Sequence, residues 1–334
     1  LSQHNRKTKY LVIRFSSIGD IVLTSPVVRC LKQQVQDVEI HYLIRSKFAC
    51  LADSNPYIDK VHKYSGNFGD LLPLLKSENF DFIIDLQNNL LSYILKIRLR
   101  MPSFTVKKLN FLKFLIVNFK INLMPRVHIV DRYMETVSAF EVKNDGRGLD
   151  FFIPYREEFD RKHFPFGSEK GYVAFVIGGS YNTKRLPAAK IRDICNNIDF
   201  PVILLGGDKE KSDGEEIITG SKGNIFNYAG QTTLCQAASI VRDAQVVLTN
   251  DTGLMHVAAA FRKKILSFWG NTVPELGMSP YLPDPSSKIM EITNLKCRPC
   301  SKLGYDRCPR KHFRCMNDID VAEAVGWIKS NFLQ

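Results

Sequence analysis

The sequence predicts an α/β protein built from two Rossmann-like domains that face each other across a cleft. Its length, 334 residues, is about twice that of an ordinary domain of roughly 150. Short β-branched apolar runs alternate with helical patterns, the mark of doubly wound parallel sheets. That alternation weakens in the middle of the chain and then restarts. It places an N-terminal domain at 1–160 and a C-terminal one at 161–334, with the polar, Pro- and Gly-bearing segment 154–171 as the linker.

The first strand is read at 10–15 (Tyr-Leu-Val-Ile-Arg-Phe), ending in the tight loop Ser16-Ser17-Ile18-Gly19. A helix begins near Asp20 or at Ser25-Pro26 and runs to about Gln34. A strand at 39–44, a helix near 70–78 and a strand at 80–86 follow. The second half reads strand 172–177, helix 187–198, strand 201–205, helix 209–219 and strand 224–228. It continues with helix 232–242, strand 246–249, helix 252–261 and strand 264–269. No sequence repeat of 20–50 residues accompanies this repeated architecture.

Composition narrows the class. Hydrophobic residues make up 45% and charged residues 24%, which is globular usage. No apolar run approaches the roughly 20 residues that span a bilayer. Residues 1–7 lack the apolar core and small-residue cleavage site of a signal peptide, so a soluble protein is expected. Of eight cysteines, Cys30, Cys50, Cys195 and Cys235 read as small core residues. Cys297, Cys300, Cys308 and Cys315 cluster near His312; they read as a reduced, packed loop or as zinc ligands. The density is not that of a secreted disulfide scaffold, which points to a reducing cytoplasm.

Charge is lopsided, with 46 Lys+Arg against 34 Asp+Glu and a net +12. Between Leu86 and Val130 there is no acidic residue, while Lys96, Arg98, Arg100, Lys107, Lys108, Lys113, Lys120 and Arg126 are all positive. Such a stretch attracts nucleic acid, anionic lipid or a phosphorylated substrate, or is a solvated face. The interleaved Leu109, Phe111, Leu112, Phe114 and Phe119 fit a membrane-surface element or a buried segment with snorkelling lysines.

Ligands of open parallel sheets bind beyond the carboxyl ends of the strands, which selects the loops to read. Asp20, just past a glycine turn, is a helix cap or a carboxylate that accepts a proton from a sugar hydroxyl. Gly178-Gly179-Ser180-Tyr181-Asn182-Thr183-Lys184 offers backbone approach, hydroxyls and a point charge before a helix, as a phosphate cradle or a solvated turn. It is not a Walker loop, and no G-x-G-x-x-G opens either half, which counts against a nicotinamide enzyme. Asp208 and Glu210 follow the strand ending at Leu205, as ribose ligands or as favourable charges at a helix start. The most informative segment is Asn250-Asp251-Thr252-Gly253-Leu254-Met255-His256, where a buried strand delivers a loop to a helix N-terminus suited to a diphosphate. His256 either reaches the same ligand or packs inside.

Together these segments resemble glycosyltransferase family 9, the ADP-heptose:lipopolysaccharide heptosyltransferases. The matching stretches begin at Arg14-Phe15-Ser16-Ser17-Ile18-Gly19-Asp20, at Asn250-Asp251-Thr252-Gly253 and at Trp269-Gly270-Asn271-Thr272-Val273-Pro274-Glu275. The resemblance covers about residues 9–328. It implies a GT-B fold and an inverting transfer from an ADP-sugar to a lipopolysaccharide-core or lipid-linked acceptor at the inner, cytoplasmic face of the membrane. It also implies that no metal ion or other cofactor takes part. On this sequence Asp20 matches the family's base, and Lys184 matches the lysine on the donor phosphates, with Ser180 and Thr183 beside it. Asp251, Thr252, Gly253, Leu254 and His256 match the donor segment, and Asp208 or Glu210 is the candidate ribose ligand. Ser17, Gly19, His128 and Arg132 are the candidate acceptor contacts, with Asp131 and Tyr133 nearby.

The same scheme with another nucleotide sugar is the close alternative. A basic nucleic-acid-binding protein is the remote one; it predicts salt-sensitive retention on polyanions but leaves the Asp-Thr-Gly loop unexplained, so no nucleic-acid partner is expected. A catalytically dead scaffold is disfavoured by intact Asp20 and Lys184.

Overall fold

The structure is a computed structural model describing residues 6–167, 169 and 171–332. The expectation about a leader peptide therefore falls largely on residues 1–5, outside the described ones. The chain divides into two compact units, Leu1–Leu109 with Val127–Phe152, and Asn110–Arg126 with Ile153–Gln334.

In chain order the first stretch holds β1 (Thr8–Ile13), α1 (Ile18–Val22), α2 (Ser25–Gln34), β2 (Val38–Arg45) and α3 (Cys50–Asp53). Next come β3 (Lys60–Tyr64), α4 (Phe68–Ser77), β4 (Phe82–Asp85), α5 (Leu90–Leu99), β5 (Ser103–Thr105), α6 (Asn110–Phe114) and α7 (Ile129–Met134). The remainder holds β6 (Val173–Val176), α8 (Ala188–Asn196), β7 (Val202–Leu205), α9 (Lys211–Ile218), β8 (Ile225–Asn227), α10 (Leu234–Asp243) and β9 (Val246–Asn250). It closes with α11 (Gly253–Ala260), β10 (Lys264–Trp269), β11 (Lys288–Glu291), α12 (Arg314–Asn317) and α13 (Val321–Phe332).

The first unit is a parallel sheet of order β3-β2-β1-β4-β5, the second a parallel sheet of order β11-β10-β9-β6-β7-β8. β1 is buried because its Leu11, Val12 and Ile13 face helices on both sides of the sheet. α2 starts where Pro26 fits the first turn and buries Val27, Val28, Cys30 and Leu31. It also buries Arg29, whose guanidinium forms a bidentate pair with Asp145 (2.7 and 2.8 Å) and meets Asp150 and the Gly148 carbonyl. That network ties the chain after α7 back onto α2.

In the second unit Phe175, Leu204, Leu248 and Phe268 form the sheet's core, covered by Ile191 and Ile194 of α8 and Ile328 of α13. Truncating Phe268 to Ala would cost about 3–5 kcal/mol through lost burial and the cavity left behind. Segment 154–171, expected as a linker, is held in this unit over its described residues. Arg242 of α10 pairs with both carboxylate oxygens of Glu158 at 2.7 Å, and Ser239 Oγ accepts from the Phe159 amide.

Nine elements have no counterpart in the sequence reading: α3, β3, α5, β5, α6, α7, β11, α12 and α13. β3 and β11 are edge strands whose charged and polar residues hide the apolar alternation. α5 presents Leu90, Tyr93, Ile94 and Ile97 on its exposed side, so it lacks the polar face by which a surface helix is recognised. α12 and then α13 follow a 22-residue stretch, 292–313, without regular structure. In the basic stretch, Lys96 is held by Asp85 (2.8 Å) and Thr105 (2.7 Å), and Lys120 donates to the Val117 and Pro299 carbonyls (2.6 Å each). Those two charges are structural. Phe111, Phe114, Phe119, Ile121 and Leu123 are exposed.

Candidate active site

Both sheets reverse their winding at one point: between β1 and β4 in the first unit, and between β9 and β6 in the second. Crevices at such points, beyond the carboxyl ends of the strands, are where α/β sheets bind ligands. The loops after β1, β6 and β9 lie at these two places, whereas the Asp208–Glu210 loop follows β7, one strand further out.

In the first unit, β1 runs into Arg14, and its side chain turns back to organise the loop. Nε donates to the Ser16 carbonyl (2.8 Å), Nη1 to the Leu86 carbonyl (2.5 Å) and Nη2 to Asp20 Oδ1 (2.7 Å). The guanidinium also lies over the Tyr133 ring, 5.7 Å from its centroid. Burial works against the Arg14 charge, but Tyr133 and Asp20 outweigh it and hold its pKa above the ordinary value. Asp20 Oδ2 accepts from the Ser17 hydroxyl (2.7 Å) and the Ser17 amide (3.2 Å). Asp20 is thus the N3 member of a capping box for α1. It is also a carboxylate held at a fixed angle by an arginine, with its side chain 20% exposed. The cap and the aimed carboxylate coexist.

α7 carries the other first-unit candidates. His128 caps it, Nδ1 accepting from the Val130 amide at 3.2 Å. Arg132 is 3% exposed, and none of its three guanidinium nitrogens has a hydrogen-bond partner among the described residues. Burial lowers its pKa. Burial also raises that of Tyr133, whose phenol feels the charges of Arg14, Asp20 and Arg132. A desolvated guanidinium without an acceptor is costly unless an anion completes it.

In the second unit, Lys184 Nζ stands 2.6 Å from Asp251 Oδ2, and the Thr272 hydroxyl donates to the same oxygen at 2.9 Å. Asn250, fully buried, fixes this arrangement: its Oδ1 accepts from the Leu186 amide, and its Nδ2 donates to the Ile177 and Gly178 carbonyls at 3.0 and 3.1 Å. The loops after β6 and β9 are therefore stitched together. Thr252 is the N-cap of α11, with Gly253 and Leu254 in the first turn. His256, one turn further, is buried. Thr183 is buried, and its hydroxyl accepts from the Tyr305 amide (2.8 Å) and donates to the Tyr305 carbonyl (2.9 Å). Gly270 is required beside it, since a Cβ there would stand 2.6 Å from the Thr183 carbonyl oxygen.

Ser180 is exposed in the loop after β6. Asp208 opens a single 3-10 turn before α9. Glu210 ends that turn, with Oε1 on Arg185 (2.5 Å) and Oε2 accepting from the Gly207 amide (2.9 Å). Arg14, Asn250, Asn271 and Thr272 were not singled out as site residues from sequence. Asn271 is 2% exposed and its side-chain amide has no hydrogen-bond partner among the described residues. All four lie in the stretches that carry the family resemblance, Arg14–Asp20, Asn250–Gly253 and Trp269–Glu275, and that place is the signal by which the sequence could have picked them out.

The four C-terminal cysteines are free thiols. Burial pushes Cys300 up to about 11 and Cys315 up to about 12, and Cys297 Sγ lies 3.8 Å from His312 Nε2. Among the described residues, no three of these five groups bring ligand atoms within 4.8 Å of one another. Cys315 packs in the second unit's core.

Residues 70–305 match the sequence profile described as glycosyltransferase family 9 (heptosyltransferase). A lipooligosaccharide heptosyltransferase 2 of Haemophilus influenzae is 25% identical over 322 residues, 88% of this chain and 92% of that protein. Among solved structures, the E. coli ADP-heptose lipopolysaccharide heptosyltransferase II is similar with a TM-score of 0.77 at 19% identity, covering 98% of this chain and 99% of that one. E. coli heptosyltransferase WaaC, solved with ADP, gives 0.67 at 16% identity, covering 97% and 100%. These likenesses bear out the expected GT-B type of α/β fold, and the profile spans most of the sequence. The chain is a glycosyltransferase and belongs to family 9, the heptosyltransferases.

Proposed function

We propose that this enzyme moves a heptose, or a closely related sugar, from an ADP-sugar to a hydroxyl of a lipopolysaccharide-core acceptor, with inversion and without a catalytic metal ion. The observation that carries the proposal is the Asp20 carboxylate, locked by Arg14 and Ser17 at the carboxyl end of β1 yet open to solvent. The acceptor hydroxyl takes the place of the Ser17 hydroxyl on Oδ2. Its proton passes to Asp20 as the oxygen attacks the anomeric carbon, and the bond to the diphosphate breaks on the opposite face.

The departing ADP gains negative charge. Lys184 and the free amides at the start of α11 meet it, which is the role a divalent cation has elsewhere. Asp251 holds Lys184 until the diphosphate arrives. Ser180, Thr183, Asp208, Glu210, Thr252, Gly253, Leu254 and His256 belong to the donor side of this reading, and Ser17, Gly19, His128 and Arg132 to the acceptor side. The Arg132 guanidinium, buried without a partner among the described residues, suits an acidic group on the acceptor. No helix among the described residues is long and apolar enough to cross a membrane. The exposed apolar residues of α5, followed directly by the exposed Arg98 and Arg100, suit peripheral contact with an anionic inner-membrane surface.

Thermal-shift titration with ADP, UDP and GDP tests the donor assignment. A ligand at 100 times its Kd stabilises by about 2.7 kcal/mol, so ADP should raise the melting temperature by several degrees and the other two by much less. Equal shifts from UDP or GDP would overturn the ADP assignment.

A further inference from the structure

β2 and β3 are parallel neighbours in which His41 lies opposite Lys60 and Leu43 opposite His62. Side chains two apart on a strand share a face, and here the two imidazoles meet. Their rings meet edge to edge with planes 24° apart and centroids 5.1 Å apart, and His41 Nδ1 lies 2.9 Å from His62 Nε2. The chain leaving α4 brings Glu78 to the same place, its Oε2 4.0 Å from His41 Nδ1. All three ligand atoms lie within 4.8 Å of one another. His41 and His62 are buried, with the Phe80 ring edge-on to both.

The proton positions follow from the neighbours. His41 Nε2 is 2.6 Å from Glu39 Oε1. A carboxylate only accepts, so a His41 proton is on Nε2, and in the neutral ring the Nδ1 lone pair faces His62 and Glu78. A carboxylate behind a histidine in this way is the usual support of a metal-bound imidazole. Lys60 pairs with Oε1 of Glu78, which leaves Oε2 turned to the histidines, with Lys9 at 3.7 Å.

We propose that His41 Nδ1, His62 Nε2 and Glu78 Oε2 form a binding site for one divalent transition-metal ion, zinc being the best match to two imidazoles and a carboxylate, with Glu39 orienting His41. Without the ion, His62 Nε2–H donates to His41. When the ion enters, His62 passes to its other neutral tautomer and both lone pairs turn to the metal, so no proton need leave the protein. Two nitrogens each about 2.0–2.1 Å from a tetrahedral zinc stand roughly 3.3 Å apart, so the pair opens only by a few tenths of an ångström. His41 is in register with Leu11, in the middle of β1, whereas Asp20 follows the carboxyl end of that strand. The ion would cross-link the edge strand β3 to β2 and the end of α4, as a structural clamp. Lys9 and Lys60 already balance Glu39 and Glu78, so binding competes with two ammonium groups.

The test uses the full chain after dialysis against a chelator, titrated with zinc chloride by calorimetry and thermal shift, and with cobalt(II) by visible absorption. The expected result is one ion per chain, a raised melting temperature and a cobalt spectrum without thiolate charge-transfer bands. His62→Gln should weaken zinc at least 30-fold and Glu78→Gln about tenfold. Lys60→Gln, which frees the carboxylate, should tighten it, an effect that a metal-free hydrogen-bond network would not produce. Replacing Cys297, Cys300, Cys308 and Cys315 together by serine should leave binding intact. If His62→Gln fails to fold, Glu78→Gln and Lys60→Gln carry the test. The proposal is overturned if zinc does not bind, if binding is indifferent to Glu78→Gln and Lys60→Gln, or if it disappears with the cysteines.

Discussion

The two units place an acid and a base at equivalent points of similar sheets, and they do so with opposite emphasis. In the first, the cation is the fixed part: Arg14 is 8% exposed, holds two carbonyls and stacks on Tyr133, while its partner Asp20 is 20% exposed. In the second, Lys184 and Asp251 are about equally covered, at 15% and 12%, and the anion is the better held, by Thr272 as well as by the lysine. An arginine stays charged and its planar fork sets direction; a lysine is a mobile point charge on a flexible stem. On the proposed reading, the first unit presents an oxygen lone pair and the second keeps a positive charge in reserve.

The sharpest way to break this comparison is Asp20→Asn. The amide retains an acceptor for Ser17 and the α1 cap, so the fold should survive, but the lone pair that takes a proton is gone. Turnover should fall by on the order of 10² or more, while calorimetric ADP affinity stays at the wild-type value because the nucleotide is assigned to the other unit. Turnover near wild type would remove Asp20 from the chemistry. Lys184→Ala is the mirror experiment. Losing a charge-assisted contact of about 1.5–3 kcal/mol should weaken ADP roughly 10- to 100-fold and leave acceptor KM little changed. Unaltered ADP affinity would mean that the lysine's role is only to neutralise Asp251.

Much of this was legible in sequence, and the reason is local. A glycine turn after a β-branched run, and a strand delivering Asn-Asp-Thr-Gly to a helix start, are patterns within ten residues, and both loops lie where the strand reading put them. Pairings between distant residues are not local. Lys184 and Asp251 are 67 positions apart, and only the adjacency of β6 and β9 joins them. Arg14 reads as a charge at a strand end, and nothing near it says that the guanidinium folds back over Tyr133. Among the elements, the interior strands were readable because both faces are apolar, whereas β3 and β11 carry edge-strand polarity. Arg132 shows the limit: the sequence offers it as a candidate acceptor contact because it follows the basic stretch, but its burial on the six-residue α7 comes from tertiary packing that no local pattern records.

Arg132→Met sharpens the contrast within the first unit, since Arg14 has partners and Arg132 has none among the described residues. If the guanidinium is kept for an acidic group of the acceptor, acceptor KM should rise about tenfold, with ADP affinity unchanged. The variant should melt no lower than wild type, because a buried cation without a partner is replaced by an apolar side chain of similar length, a change that is neutral or stabilising by about 1 kcal/mol or more. Lower stability with unchanged KM would make Arg132 a structural residue.

The smallest expected effect separates the two ion pairs most directly. In Asp251→Asn the amide oxygen still accepts from Thr272, so the loop is kept, but Lys184 loses its counter-charge. If the lysine is held in reserve for a diphosphate, removing its competitor should leave ADP binding at least as tight as wild type, by up to a few fold, and make it more salt-sensitive because an exposed charge is screened. Both changes can be read from calorimetric titrations at low and high salt. The corresponding change on the other side, Arg14→Met, gains nothing of the kind, because Arg14 orients Asp20 rather than competing with substrate for it. Should Asp251→Asn instead weaken ADP tenfold or more, the carboxylate is itself a donor contact, and the two units differ less in design than their geometry implies.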